Sequence, residues 1–119
     1  MSDKKLAIVG SREYKNYEHF KSIVNSYINE IGMPDIIISG GANGVDAMAA
    51  LYANEIGVKL IVFTAEWSKY GLSAGPKRNT LIITTATHVL ALPASNSRST
   101  YDAISKAIIA DKIIKIVKI

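Results

Sequence analysis

The sequence predicts an α/β fold, a five-stranded, mostly parallel sheet with helices on both faces. Three observations lead there. Short apolar runs alternate along the chain with stretches of helical periodicity. The first four runs are continuously apolar, as suits strands buried on both faces. A glycine turn, Ser39-Gly40-Gly41-Ala42-Asn43-Gly44-Val45-Asp46, joins one of these runs to a helical stretch. At 119 residues the chain suffices for one domain with a real core, taken as residues 1–119.

Lys5 to Val9 reads as the first strand, ended by Gly10-Ser11-Arg12. From Tyr17 to Ile31, apolar residues recur at helical spacing (Tyr17, Phe20, Ile23, Val24, Tyr27, Ile28, Ile31), and Gly32 and Pro34 close the helix. Asp35 to Ser39 is the second strand, and a helix follows from about Gly44 to Ile56, stopped by Gly57. Lys59 to Phe63 forms the third strand. Thr64 to Gly75 is the least regular piece, and Pro76 then takes the first position of a helix running to about Thr85. His88 to Leu92 is the fourth strand, Pro93 to Arg98 a polar loop, Ser99 to Ala110 a helix and Lys112 to Ile119 the last strand.

In parallel α/β sheets ligands sit beyond the carboxyl ends of the strands. The loops expected at that edge are Gly10–Arg12, Ser39–Asp46, Thr64–Arg78 and Pro93–Thr100, which are also rich in Gly, Ser, Asn and Arg. Gly40 and Gly41 let the backbone take positive φ and approach a ligand closely. The helix opening near Gly44 offers free N–H groups to an anion. Asp46, in its first turn, suits the helix dipole and is placed to meet a sugar hydroxyl. The same letters also describe a plain tight turn before a capped helix.

The composition is that of an ordinary globular protein, with a net charge of +4. This charge permits a phosphate-bearing ligand or weak nucleic-acid contact. Lys112, Lys115 and Lys118 read as a charged edge strand. With no cysteine, disulfides, thiolate nucleophiles and Cys-based zinc sites are excluded. No His/Asp/Glu spacing suggests a metal site, and no cofactor is implied. His19 and His88 are expected to be structural or surface residues. No apolar run reaches membrane-spanning length, and the N-terminus leads straight into a strand without a signal-peptide pattern, so a cytoplasmic setting is expected.

Three stretches together resemble a known superfamily: Ala7-Ile8-Val9-Gly10-Ser11-Arg12, Ser39 to Asp46, and Trp67-x-x-x-Gly71-x-x-Ala74-Gly75-Pro76-x-Arg78-Asn79. The set is similar to the SLOG superfamily, a Rossmann-like three-layer domain. It is shared by the bacterial DNA-processing protein, the cytokinin-activating phosphoribohydrolases and small nucleotide-sensing domains of phage and prokaryotic conflict systems. The compact stand-alone branch is the one this chain resembles. The resemblance implies a nucleotide-derived small-molecule ligand in the glycine-loop cleft. Gly10, Ser11 and Arg12 would line one wall, Gly40, Gly41, Gly44 and Asp46 would cradle phosphate or ribose, with Ser39 opening the turn, and Arg78 and Asn79 would form the opposite lip. It also implies a homo-oligomer, for which the aromatic-rich first helix offers a surface.

The residues speak to this separately. Arg78 in a first helical turn opposes the dipole, which is reasonable if an anion or Asp46 shares the spot. A solvent-facing arginine is the plain alternative. Trp67 suits base stacking and a core or interface position equally. The enzymatic branches carry Pro-Gly-Gly-x-Gly-Thr and then a catalytic Glu. This chain reads Pro93-Ala94-Ser95-Asn96-Ser97-Arg98-Ser99-Thr100-Tyr101-Asp102-Ala103, with Ala103 at the Glu position. Asp102 lies one residue early, about 100° round a helix. Ser97, Ser99 and Thr100 can still bond a phosphate there and Arg98 neutralise it, or the same residues simply cap a helix.

The leading expectation is therefore a sensing or sequestering module that binds a nucleotide-derived molecule. An alternative is N-glycoside hydrolysis or transfer, with Asp46 and Asp102 as the catalytic acids. A further alternative, single-stranded nucleic-acid binding, draws on Tyr14, Tyr17, Trp67 and Tyr70 and is less favoured.

Overall fold

The first apolar run becomes the centre of the sheet. In the computed structural model, which describes residues 3–119, β1 (Lys5–Gly10) is flanked by β2 (Ile36–Ser39) and β4 (His88–Leu92). The outer strands are β3 (Lys59–Val62) and β5 (Ile113–Ile116), giving the order β3-β2-β1-β4-β5. Every pairing is parallel, so the sheet is wholly parallel where a mostly parallel one was expected. Parallel strands need crossovers, and helices supply them: α1 (Tyr17–Ile31), α2 (Val45–Ile56), α4 (Ala74–Thr85) and α5 (Arg98–Ile109).

The continuous apolar runs serve two cores at once. Leu6 and Ile8 of β1 face α1 and α2, packing among Phe20, Val24, Val45 and Tyr52. Ala7 and Val9 face the other way, against Ile82 and Ile83 of α4 and Ala103, Ile104 and Ala107 of α5. This period-two division is why β1 shows no polar alternation.

Helix α1 begins where the Asn16 side chain accepts the His19 N–H at 3.1 Å. Its aromatic face, expected to be free for self-association, is turned inward. Tyr17 stacks on Phe20 at 5.9 Å between ring centroids, Phe20 meets Tyr52 edge-on at 6.2 Å, and Tyr27 is 4 % exposed. The reason is the sheet itself, whose face toward α1 and α2 needs large side chains to cover it.

The irregular Thr64–Gly75 piece contains a short helix α3 (Trp67–Tyr70) and a 3-10 turn over Gly71–Ser73. Helix α4 then starts at Ala74, two residues before its expected start. Pro76 is accepted at the third position, where a helix has no partner for its N–H in any case. Helix α5 starts at Arg98, a residue before its expected start. Strand β5 ends at Ile116, short of the expected Ile119, although Val117 and Ile119 still donate N–H bonds to Ala91 and Pro93. The tail lysines lie on and around this edge strand, and Lys115 approaches Glu30 at 3.8 Å. Among the described residues no helix is long and apolar enough to cross a membrane.

Candidate functional site

The chain runs outward from β1 through β2 to β3, then crosses back to β4 and β5. The order therefore reverses between β1 and β4, and the loops leaving those strands part there. A cleft of about 230 Å³ opens at that point. Gly10, Ser11, Arg12 and Glu13 from the β1–α1 loop form one wall, and Asn96 to Thr100 at the start of α5 form the other. Asp46, Arg78 and Asn79 lie between them.

Gly10 is required by close approach: a Cβ there would sit 2.6 Å from the Leu92 carbonyl oxygen and 2.7 Å from a Val45 methyl. Gly44, at φ +69°, brings α2 against the same loop, so that the Val45 N–H donates to the Ser11 carbonyl at 3.0 Å. The first amide of α2 is thereby taken. Two more amides of the glycine turn are bonded within it. Gly41 N–H donates to Ser39 Oγ at 3.3 Å, Ala42 N–H to Asp46 Oδ2 at 3.2 Å, and Ser39 Oγ to the Asp46 carbonyl at 2.9 Å. Ser39 and Gly44 accordingly build the turn and line no part of the cleft, and three amides expected to be free for a ligand, those of Gly41, Ala42 and Val45, are taken by bonds within the protein.

Ser97 accepts the Ala94 N–H at 2.9 Å and makes no side-chain cap to α5. The Arg98 N–H donates to the Asn96 carbonyl at 3.0 Å, and the next two residues of the first turn, Ser99 and Thr100, whose amides have no partner within the helix, line the cleft. The exposed guanidinium of Arg98 stands at the rim, with that of Arg12 across from it.

Arg78 and Asn79 are buried struts, 6 % and 2 % exposed, where an open lip was expected. Because α4 begins at Ala74, Arg78 falls in its second turn and the first-turn dipole argument does not apply to it. Its Nη1 donates to the Gly40 carbonyl at 3.0 Å, its Nη2 to Ser99 Oγ at 3.1 Å and its Nε to Asn79 Oδ1 at 2.9 Å. Asn79 Nδ2 donates to the Ser99 carbonyl at 3.0 Å and to Asp102 Oδ2 at 3.0 Å. One dipeptide thus ties the glycine turn to the start of α5. Gly40 has to be glycine for this, since a Cβ would lie 2.8 Å from Asp46 Oδ2 and 2.9 Å from Arg78 Nη1.

Asp46 is 6 % exposed, and burial pushes its carboxyl up to about 6. The Ala42 N–H and the Arg78 and Arg12 charges pull the other way without offsetting burial. Burial likewise lowers Arg78, against the opposing pull of Asp46. The second acid is placed elsewhere. Asp102 accepts from Asn79 and pairs with Lys106 at 2.6 Å, outside the cleft lining. Ala103 is wholly buried in the core beneath α5.

Trp67 lines a neighbouring hollow with Gly40 and Gly41, at 49 % exposure. His19 meets Tyr14 on the surface, and His88 contacts Thr87 at the far end of β4. Glu13 and Asn96, which the sequence reading did not place in the site, also reach the cleft. The signal for Glu13 was its place directly after Arg12 in the same loop. Among the described residues no group of three or more His, Cys, Asp or Glu could hold a metal.

A sequence profile of the YspA, cpYpsA-related SLOG family matches residues 4–70, more than half of the chain. The chain belongs to this SLOG family. The matched part of the SLOG domain carries the Gly10–Arg12 loop and the glycine turn, and ends before Arg78 and the start of α5. Among solved structures, the X-ray structure of DNA processing protein A (DprA) from Streptococcus pneumoniae is similar, with a TM-score of 0.74 at 18 % identity. The likeness covers 96 % of this chain and 50 % of that one, so this SLOG domain spans half the length of DprA and shares its fold. No protein with a curated description matches the chain in sequence.

Proposed function

We propose that this SLOG domain binds a nucleotide or nucleotide-derived small molecule in the cleft between β1 and β4, as a sensing or sequestering module. The observation that carries the reading is the start of α5, where no side chain caps the helix and Ser99 and Thr100 line the cleft between Arg12 and Arg98. Backbone donors aligned with a helix dipole and two guanidinium groups suit a phosphate. The membership of a SLOG family supports the nucleotide class. Binding without turnover is favoured by the buried Ala103 where enzymatic branches carry their acid, and by the pairing of Asp102 with Asn79 and Lys106. A domain that senses a ligand then passes the signal to a partner or to a second copy of itself. The exposed side chains of Ile108, Ile109, Ile113 and Ile116 favour α5 and β5 over α1 for such contact.

One observation favours a second reading. Asp46 is a cleft carboxyl held near pH 6, in the range where a general acid or base of N-glycoside cleavage works. Mass spectrometry after long incubation with a nucleotide panel separates the two. An unchanged ligand, retained by the parent and lost from Arg98→Ala, is the expected result. Free base released by the parent and not by Asp46→Asn would overturn it. Single-stranded nucleic acid, the remaining alternative, would instead give an affinity that falls steeply with salt.

A further inference from the structure

The cleft does not end at the glycine turn. A second hollow of about 280 Å³ lies beside it, and the two share Arg12, Ala42 and Arg78. Gly40 and Gly41 follow β2 and Thr64 follows β3, so this hollow stands over the ends of β2 and β3. The first cleft stands over β1 and β4. Two strand spacings, about 10 Å, separate their midlines.

The second hollow has the features of a seat for a flat ring. One wall is the backbone of Gly40 and Gly41, which carries no side chains. The other is Trp67, whose ring lies against Gly75 closely enough that a Cβ there would be 3.3 Å from it. With one part of the indole packed on α4, about half of the side chain remains open. No acidic side chain lines this hollow, whereas Arg12 stands at its junction with the first.

Resting on the reading above, we propose that the nucleotide lies across both hollows, its base against Trp67 and its phosphates running past Arg12 to the start of α5. A single phosphate on a ribose is short for that span, and a second phosphate extends the reach. The ligand class is then a nucleoside diphosphate or a diphosphate-linked derivative. Arg12 neutralises the bridging phosphate, and Arg98 with the α5 amides holds the terminal one.

Trp67 is the only tryptophan in the chain, so its fluorescence reports this hollow. The test titrates the full chain with the diphosphates and monophosphates of the four common ribonucleosides, recording heat and tryptophan emission in parallel. A diphosphate should bind about tenfold or more tightly than its own monophosphate and quench Trp67. Trp67→Ala should weaken it about tenfold, the usual scale of one lost stacking contact, and Trp67→Phe should restore most of the affinity. Heat of binding with unchanged emission, equal affinity for both phosphate lengths, or full affinity in Trp67→Ala would each overturn this inference. All three leave nucleotide binding at the start of α5 in place. Absence of heat from every compound would overturn the binding reading as well.

Discussion

Asp46→Asn makes the cost of the buried carboxyl measurable. The group ionises at an ordinary 3.8 in an unfolded chain and at about 6 in the fold. Between those values the folded chain keeps a proton that the unfolded chain has released. Stability therefore falls as pH rises from about 4 to about 6, and is level on either side as far as this group is concerned. At about 1.4 kcal/mol per pKa unit, the interval corresponds to about 3 kcal/mol. Asparagine has nearly the same shape, and its oxygen can still accept the Ala42 N–H. Its side chain does not titrate.

The assay is urea unfolding of parent and Asp46→Asn at half-unit steps from pH 4 to 7.5. The difference in unfolding free energy should shift by about 2.5 kcal/mol in favour of Asp46→Asn between the ends of that range, with the steepest change near pH 5. Parallel pH profiles would refute the reasoning, because they would mean that Arg78, Arg12 and the Ala42 N–H fully offset the burial. A profile of the opposite slope would mean that they more than offset it.

Other substitutions test the remaining geometry. Gly44→Ala should cost about 3 kcal/mol or more in urea unfolding, since its Cβ would meet the Ser11 carbonyl at 2.3 Å in a left-handed backbone. Gly57→Ala, at a similar φ of +71° but with nothing within 4 Å, should cost only about 1 kcal/mol in the same assay. Arg78→Ala should lose about 3 kcal/mol through its bonds to Gly40 and Ser99, and should push the pH step of Asp46 higher, read from the same unfolding profiles. Ala103→Glu would bury an unpaired carboxylate in the core, so soluble folded yield and thermal midpoint should collapse and no N-glycosidase activity should be gained.

The fold was largely legible because its signals are local. Continuous apolar runs marked the strands, and the spacing from Tyr17 to Ile31 gave α1 with its observed ends. Pro76 misled by two residues because proline suits several first-turn positions and the sequence favours none of them. The site was legible as a set of loops and not as a set of bonds. Nothing near Gly41 or Ala42 in sequence shows that their amides meet Ser39 Oγ and Asp46 Oδ2, because this depends on how the turn folds back on itself. Arg78 read as a lip or a surface residue since arginine is rarely buried, and its burial depends on a carbonyl 38 residues away and a hydroxyl 21 residues away. The aromatic face of α1 read as a free surface for a similar reason: only the sheet beneath it decides which face is covered.

The bonds made by Arg78 bear on how such a domain could signal. The guanidinium holds the Gly40 carbonyl on one side and Ser99 on the other, so the glycine turn and the start of α5 move as one. The three guanidinium groups of the cleft, Arg12, Arg78 and Arg98, outnumber its two carboxyls, Glu13 and Asp46, and burial holds Asp46 up to about 6. The cleft thus carries an excess of positive charge that favours an anion. A phosphate at the start of α5 would favour the charged form of Arg78 and oppose ionisation of Asp46, moving proton uptake at the glycine turn without touching it. Asp46 should then take up protons on binding near pH 6. The heat of binding would depend on the buffer's ionisation enthalpy to a different extent in the parent and in Asp46→Asn, the ligand's terminal phosphate contributing its own proton exchange to both. Equal buffer dependence in both would separate Asp46 from the ligand and leave the Arg78 strut a purely structural part.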